Sequence, residues 1–98
     1  NDFLVGGDGR LVHSLAPIYV VREIPKVRQF RLYQRADSSI DLSLVVSEPM
    51  SEDEVNDLCR RLQEALDLST SVDVNFVDAI EPEASGKYRF VRSEAVPG

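Results

Sequence analysis

The stretch from Ile40 to Leu66 constrains this chain more than any other, because a strand-period pattern stands directly before a helix-period one. Ile40, Leu42, Leu44 and Val46 share one parity while Asp41, Ser43 and Ser47 take the other, which predicts a strand with one buried face. Ser51 followed by Glu54 is a capping box, and Glu52 and Asp53 lie where the positive end of a helix dipole favours acids. From there Val55, Leu58, Cys59, Leu62, Ala65 and Leu66 recur at spacings of three and four, giving one apolar stripe about four turns long. A one-faced helix and a one-faced strand each need an apolar partner, and packing one on the other satisfies both.

The flanking segments extend that arrangement. Val27 to Arg35 alternates through Gln29-Phe30-Arg31-Leu32-Tyr33-Gln34 and is joined to the Ile40 strand by the turn Ala36-Asp37-Ser38-Ser39, so the two predict an antiparallel hairpin. Val72, Val74 and Phe76 form a further strand, and a loop through Pro82 to Gly86 leads to a last short run, Tyr88 to Val91. Near the N-terminus, Phe3-Leu4-Val5 and Leu11-Val12 flank Gly6-Gly7-Asp8-Gly9, which reads as a hairpin with a solvent-facing tip. Ser14 is placed to cap a short helix that carries Pro17 in its first turn and is stopped by Pro25. The expected fold is a small α+β domain: a sheet of about three strands plus an N-terminal hairpin, packed against one long helix and a short one.

Residues 1–98 fit a single domain of this size, with little room for a private active site. Seventeen acidic against eleven basic side chains give a net charge of −6, which argues against nucleic acid as a partner. Cys59 is the only cysteine and lies on the apolar stripe, so it reads as core in a reducing, cytoplasmic setting rather than as a disulfide or metal ligand. No apolar run approaches the roughly 20 residues that span a bilayer. The chain opens at Asn1 in mid-pattern, as expected of a piece cut from something longer. His13, the Glu81 and Glu83 pair, and Arg60 with Arg61 read as structural or solvated groups.

Ser85-Gly86-Lys87-Tyr88-Arg89 breaks the blandness, since a Gly-Lys step before a terminal strand presents an ammonium at the rim of a domain. Taken alone it is a weak signal and reads more readily as an ordinary solvated lysine. Together, however, Gln29-Phe30-Arg31-Leu32-Tyr33-Gln34, the acidic helix and Pro82-x-x-Ser85-Gly86-Lys87-x-Arg89 follow the order and spacing of one family. The chain resembles the C-terminal lid subdomain of adenylate-forming enzymes, in the branch of phenylacetate-CoA ligase and its CapK-like relatives.

That resemblance implies a ligase whose N-terminal domain, on the same polypeptide, binds ATP with magnesium and a small carboxylic acid. The lid would then supply Lys87 to the adenylation step, with Asp2 matching the hinge aspartate about which the lid turns. Gly6, Gly7 and Gly9 match the loop that faces the acceptor, coenzyme A or another nucleophile, after the turn. The match departs from the pattern at Gly9-Arg10-Leu11-Val12-His13, where phenylacetate-CoA ligases carry an Arg-Gly turn, an asparagine and a Phe-Pro step. A lid alone should not turn over substrate, and its bared face is open to self-association. The competing reading is a stand-alone α+β regulatory or ligand-binding module, since fold class by itself does not decide function.

Overall fold

A computed structural model describes residues 3–82 and 90–97. In chain order the elements are β1 (Phe3–Val5), β2 (Leu11–His13), α1 (Leu15–Arg22), β3 (Val27–Gln34), β4 (Ile40–Val46), α2 (Glu52–Leu66), β5 (Val72–Phe76) and β6 (Val91–Ser93). β1 and β2 form an antiparallel ribbon, and the other strands form one mixed sheet in the order β5-β4-β3-β6. The α+β class and the strand, strand, helix, strand order therefore stand as expected. The sheet is one strand wider than about three: its last strand is Val91–Ser93, parallel to β3, with Leu32 opposite Val91 and Gln34 opposite Ser93. Of the expected run from Tyr88 to Val91, Tyr88 and Arg89 lie outside the described residues.

The capping box forms in full. Ser51 Oγ accepts from the Glu54 amide at 3.1 Å and Glu54 Oε1 accepts from the Ser51 amide at 2.8 Å, satisfying two of the donors a helix start leaves open. The same carboxylate receives Lys26 Nζ at 2.7 Å, and Lys26 also donates to the Pro49 carbonyl at 3.1 Å. Lys26, then the Ser51 amide, hold the Glu54 carboxyl below the usual carboxylate range. One glutamate thus fixes where α2 begins and ties that point to the entry of β3.

Along α2, Leu58, Leu62 and Leu66 are buried at successive four-residue steps, while Val55, Cys59 and Ala65 are half-buried on its margins. Cys59 is therefore at the edge of the core rather than within it, and burial pushes its thiol pKa up. The buried leucines meet Phe30 and Leu32 of β3, Ile40, Leu42 and Leu44 of β4, Leu4 of β1 and Val21 of α1 in one cluster. Each such side chain contributes roughly 1.5–3 kcal/mol on burial. The opposite sheet face carries Arg31, Tyr33, Asp41, Ser43, Asp73 and Asn75, all at least partly exposed.

Ser14 does not cap α1 through its side chain. It already has helical dihedrals, φ −66° and ψ −15°, and is buried. The cap is His13, whose Nδ1 accepts from the Leu15 amide at 3.2 Å while its ring meets Phe3 edge-on at 5.2 Å. The histidine is exposed and structural, as its lone position in the sequence suggested.

Gln34 is the polar exception in the core. It follows Phe30 and Leu32 on the buried face of β3 and is itself fully buried. Its Oε1 accepts from the Val5 amide and from Ser93 Oγ, both at 2.8 Å, and its Nε2 donates to the Val5 carbonyl at 2.8 Å and the Ser38 carbonyl at 3.0 Å. One carboxamide joins β1, the β3–β4 turn and β6. A Gln34→Leu substitution keeps the bulk but strands the buried amide and carbonyl of Val5, and we expect a loss of about 3 kcal/mol or more in urea unfolding. A loss below about 1 kcal/mol would mean that these groups find other partners.

Candidate functional site

Two segments carry the sequence-derived candidates: the glycine tip between β1 and β2, and the loop between β5 and β6. Gly6, Gly7 and Gly9 are described in place, whereas Asp2 and Lys87 lie outside the described residues. The tip is internally bonded, with the Gly6 amide donating to the Arg10 carbonyl at 2.7 Å and the Gly9 amide to the Gly6 carbonyl at 2.9 Å. Gly9 has φ 82°, a left-handed conformation that glycine adopts without a Cβ penalty.

The tip is only half solvent-facing. Gly6 is buried, and Gly7, though exposed, runs against the turn that follows α2. A Cβ on Gly7 would press on Ser69 Oγ and fall 2.7 Å from Asp67 Oδ2. Moving those side-chain ends aside costs the bonds that hold them, since Asp67 Oδ1 accepts from both the amide and the hydroxyl of Ser69, each at 2.9 Å. The Ser69 amide and hydroxyl, and less strongly the Gly7 amide and Arg10, hold the Asp67 carboxyl below the ordinary carboxylate range. Sequence reasoning missed this mount, although an Asp-x-Ser step just past a helix end is itself a turn signature.

Opposite the tip stands the β3–β4 turn. Ser38 there has φ 74°, which costs a non-glycine residue on the order of 1 kcal/mol. Its neighbours hold it in place: Asp37 Oδ1 accepts from the Ser39 amide at 2.9 Å and the Ser39 hydroxyl at 2.6 Å, and the Ser38 carbonyl is one of the Gln34 acceptors. Gly7, Asp37–Ser39 and Ser69–Ser71 line a polar cleft of about 330 Å³.

The loop between β5 and β6 departs beyond Phe76, which stands opposite Leu44, and returns to the middle of β3 at Leu32. Its departing limb is fixed by buried Ile80 and by Arg31 Nη2, which donates to the Glu81 carbonyl at 2.6 Å. Its returning limb is fixed at Phe90, whose carbonyl accepts from the Leu32 amide at 2.7 Å and whose ring stacks on Phe30 at 5.2 Å. From Phe30 to Gln34 is four strand residues, roughly 13 Å. The structure thus separates the glycine tip from the anchors of the Gly-Lys loop along one sheet. Of the Glu81 and Glu83 pair, Glu81 is exposed and Glu83 lies outside the described residues. Among the described residues, no three His, Cys, Asp or Glu side chains converge on a metal-sized site. No helix among them is long and apolar enough to cross a membrane.

Comparison with known proteins places this architecture. The family model described as the CapK C-terminal domain matches residues 4–94. Among solved structures, a crystal structure of a domain of phenylacetate-coenzyme A ligase from Bacteroides vulgatus ATCC 8482 superposes with a TM-score of 0.63 at 10% identity, covering 96% of this chain and 93% of that one. No curated protein sequence matches.

The Gly7 mount gives two expected outcomes. Gly7→Ala should cost about 1–2 kcal/mol in chemical unfolding, and less in an Asp67→Ala background, because one of the two obstacles is then gone and the other, Ser69 Oγ, has lost the acceptor that held it. Additive losses would show that the tip does not rest on Asp67. Asp67 and Asp37 both have carboxyls held below their unfolded value, so their stability contribution is complete above the unfolded carboxylate range and is lost as pH falls through the lowered folded value. Asp67→Asn should therefore lower the melting temperature at pH 7, by a gap that narrows as pH falls through and below the ordinary carboxylate range. A gap that stays constant over that fall would reject the linkage.

Proposed function

This chain belongs to the CapK C-terminal domain family, and from that premise we propose that it is the C-terminal lid of an ATP-dependent ligase that activates a carboxylic acid. The observation that carries the reading is the placement of the glycine tip and the anchors of the Gly-Lys loop at separate places along one four-stranded sheet. Two segments so placed suit a body that offers first one and then the other to a reaction centre. A body that must offer first one and then the other has to turn between steps, and Asp2, next to the first strand, is the hinge in this reading.

In the first step a carboxylate oxygen attacks the α-phosphorus of ATP, the bond to the β-phosphate oxygen breaks, and pyrophosphate leaves. Negative charge gathers on the phosphoryl oxygens as that happens, and Lys87 brings a compact ammonium to them. In the second step an acceptor, coenzyme A or another nucleophile, attacks the acyl carbon and AMP leaves. There Gly9, in a left-handed conformation without a Cβ, lets the backbone pass close to the acceptor, while Gly6 and Gly7 seat the tip that carries it. ATP and its magnesium are held mainly by the N-terminal domain of the same polypeptide, which also orients the acid.

The test is Lys87→Ala in the full-length polypeptide, assayed by ATP–pyrophosphate exchange. Phenylacetate, the acid in the structural neighbour's name, is the first to assay. We expect exchange to fall about 100-fold or more with the fold intact. Exchange at the parent rate would remove Lys87 from the adenylation step. A native polypeptide no larger than this 11.0 kDa chain would favour the stand-alone module instead.

A further inference from the structure

β5 is one border of the sheet, and among the described residues no strand pairs with its outer side. The ladder to β4 fixes which backbone groups are free there. The Ile40 amide donates to the Ser71 carbonyl at 2.8 Å and the Val77 amide to the Leu44 carbonyl at 2.9 Å, so the odd-numbered residues turn their backbone groups toward β4. Val72, Val74 and Phe76 therefore turn their N–H and C=O groups outward in an unbroken row. Sheet borders are commonly blunted by lysine, proline or a bulge. Val72-Asp73-Val74-Asn75-Phe76 has neither lysine nor proline, and its register against β4 runs without a shift.

The side chains of this border are also incompletely covered. Val72 and Val74 are half-buried, and Phe76 is 50% exposed beside a cleft of about 420 Å³ that Val46, Pro49 and Met50 help to line. On the open face, Asp73 is the one charge of the strand and is paired with Arg35 at 3.1 Å. Asn75 donates to Asp41 with one of its amide hydrogens, so its carboxamide retains further hydrogen-bonding capacity.

We infer that β5 is a pairing edge for a second copy of this chain, joined antiparallel about a two-fold axis at Val74. Two identical strands meeting in this way must set outward-turned residues opposite one another, which leaves few registers, and the side chains choose among them. With the axis at Val74, every outward N–H and C=O of the strand is paired, Val72 meets Phe76 of the second copy, and Asp73 meets its Asn75. An axis at Asp73 would set two carboxylates face to face in the closer, non-hydrogen-bonded kind of pair, which is unfavourable. An axis at Asn75 would set Asp73 against apolar Val77. The chosen register also brings Val72 of the second copy to the exposed ring of Phe76, next to the cleft. This inference does not rest on the lid reading.

The test is sedimentation equilibrium of the 98-residue chain, joined to amide hydrogen exchange at low and high concentration. One short strand edge makes a small interface, so a dimer with a dissociation constant between about 10 μM and 1 mM is expected. Exchange at Val72, Val74 and Phe76 should slow as the dimer fills. Val74→Pro removes the donor at the axis and leaves the ladder to β4 intact, and should weaken the dimer at least about tenfold. Asn75→Lys, facing Asp73 of the second copy, should tighten it several-fold, and Asn75→Asp should weaken it by a similar factor. These exposed substitutions decide the matter if Val74→Pro does not fold. A chain that stays monomeric up to about 1 mM would overturn the assignment. So would exchange slowed at another border instead, or a dimer that responds in the same way to both Asn75 substitutions.

Discussion

A carboxamide buried among leucines sets the terms for the rest of this structure. Desolvating the two polar ends of Gln34 costs several kcal/mol unless each finds partners, and the partners it has belong to three separate segments. β1 has only three residues and β6 only three, too few to hold position through ladder bonds alone. Because Val5 and Ser93 meet at the same side chain, neither short strand can slip without opening the other's bonds. The N-terminal ribbon is thereby made part of the sheet's rigid body although it pairs with none of the sheet's strands.

That coupling ties together two attachments along the sheet. The glycine tip is pressed on the Asp67–Ser69 turn, and the described limbs on either side of the β5–β6 loop are held through Arg31 and Phe90. Both attachments run to the same β3, one through Gln34 and one through Leu32 and Phe30. The spacing between them is therefore set by the strand itself and by the core beneath it.

The elements that the sequence made legible are those whose cause is local. The Ser51–Glu54 box and the leucine stripe specify α2 by themselves, and the alternation from Ile40 specifies β4. What was not legible depends on distant partners. Gln34 sits in phase with Phe30 and Leu32, but no pattern within β3 says that a polar residue there will find Val5 and Ser93, 29 and 59 positions away. The fourth strand was hidden for a similar reason, since Val91–Ser93 is too short to show a period and owes its state to the edge of β3. His13 displaced Ser14 as the cap because Ser14 had already turned helical, a choice made by backbone geometry that composition does not encode. Gly7 was picked out for the room a glycine leaves, whereas Asp67 and Ser69, which use that room, lie 60 residues or more away.

Charge divides the molecule along the same line. The exposed face of α2 carries Glu52, Asp53, Asp57 and Glu64, so the helix side repels anions, with Arg60 offsetting only Asp57 and Glu64. Arg22, Arg28, Arg31 and Arg92 gather instead along α1, β3 and β6, next to the limb that leads back from Lys87. At physiological salt the field of an exposed charge reaches about 8 Å, so these cations act on whatever approaches that edge while the acids of α2 are largely screened from it. Net charge alone describes an acidic chain, and it is the uneven distribution of that charge over two layers that gives it an edge rich in arginine.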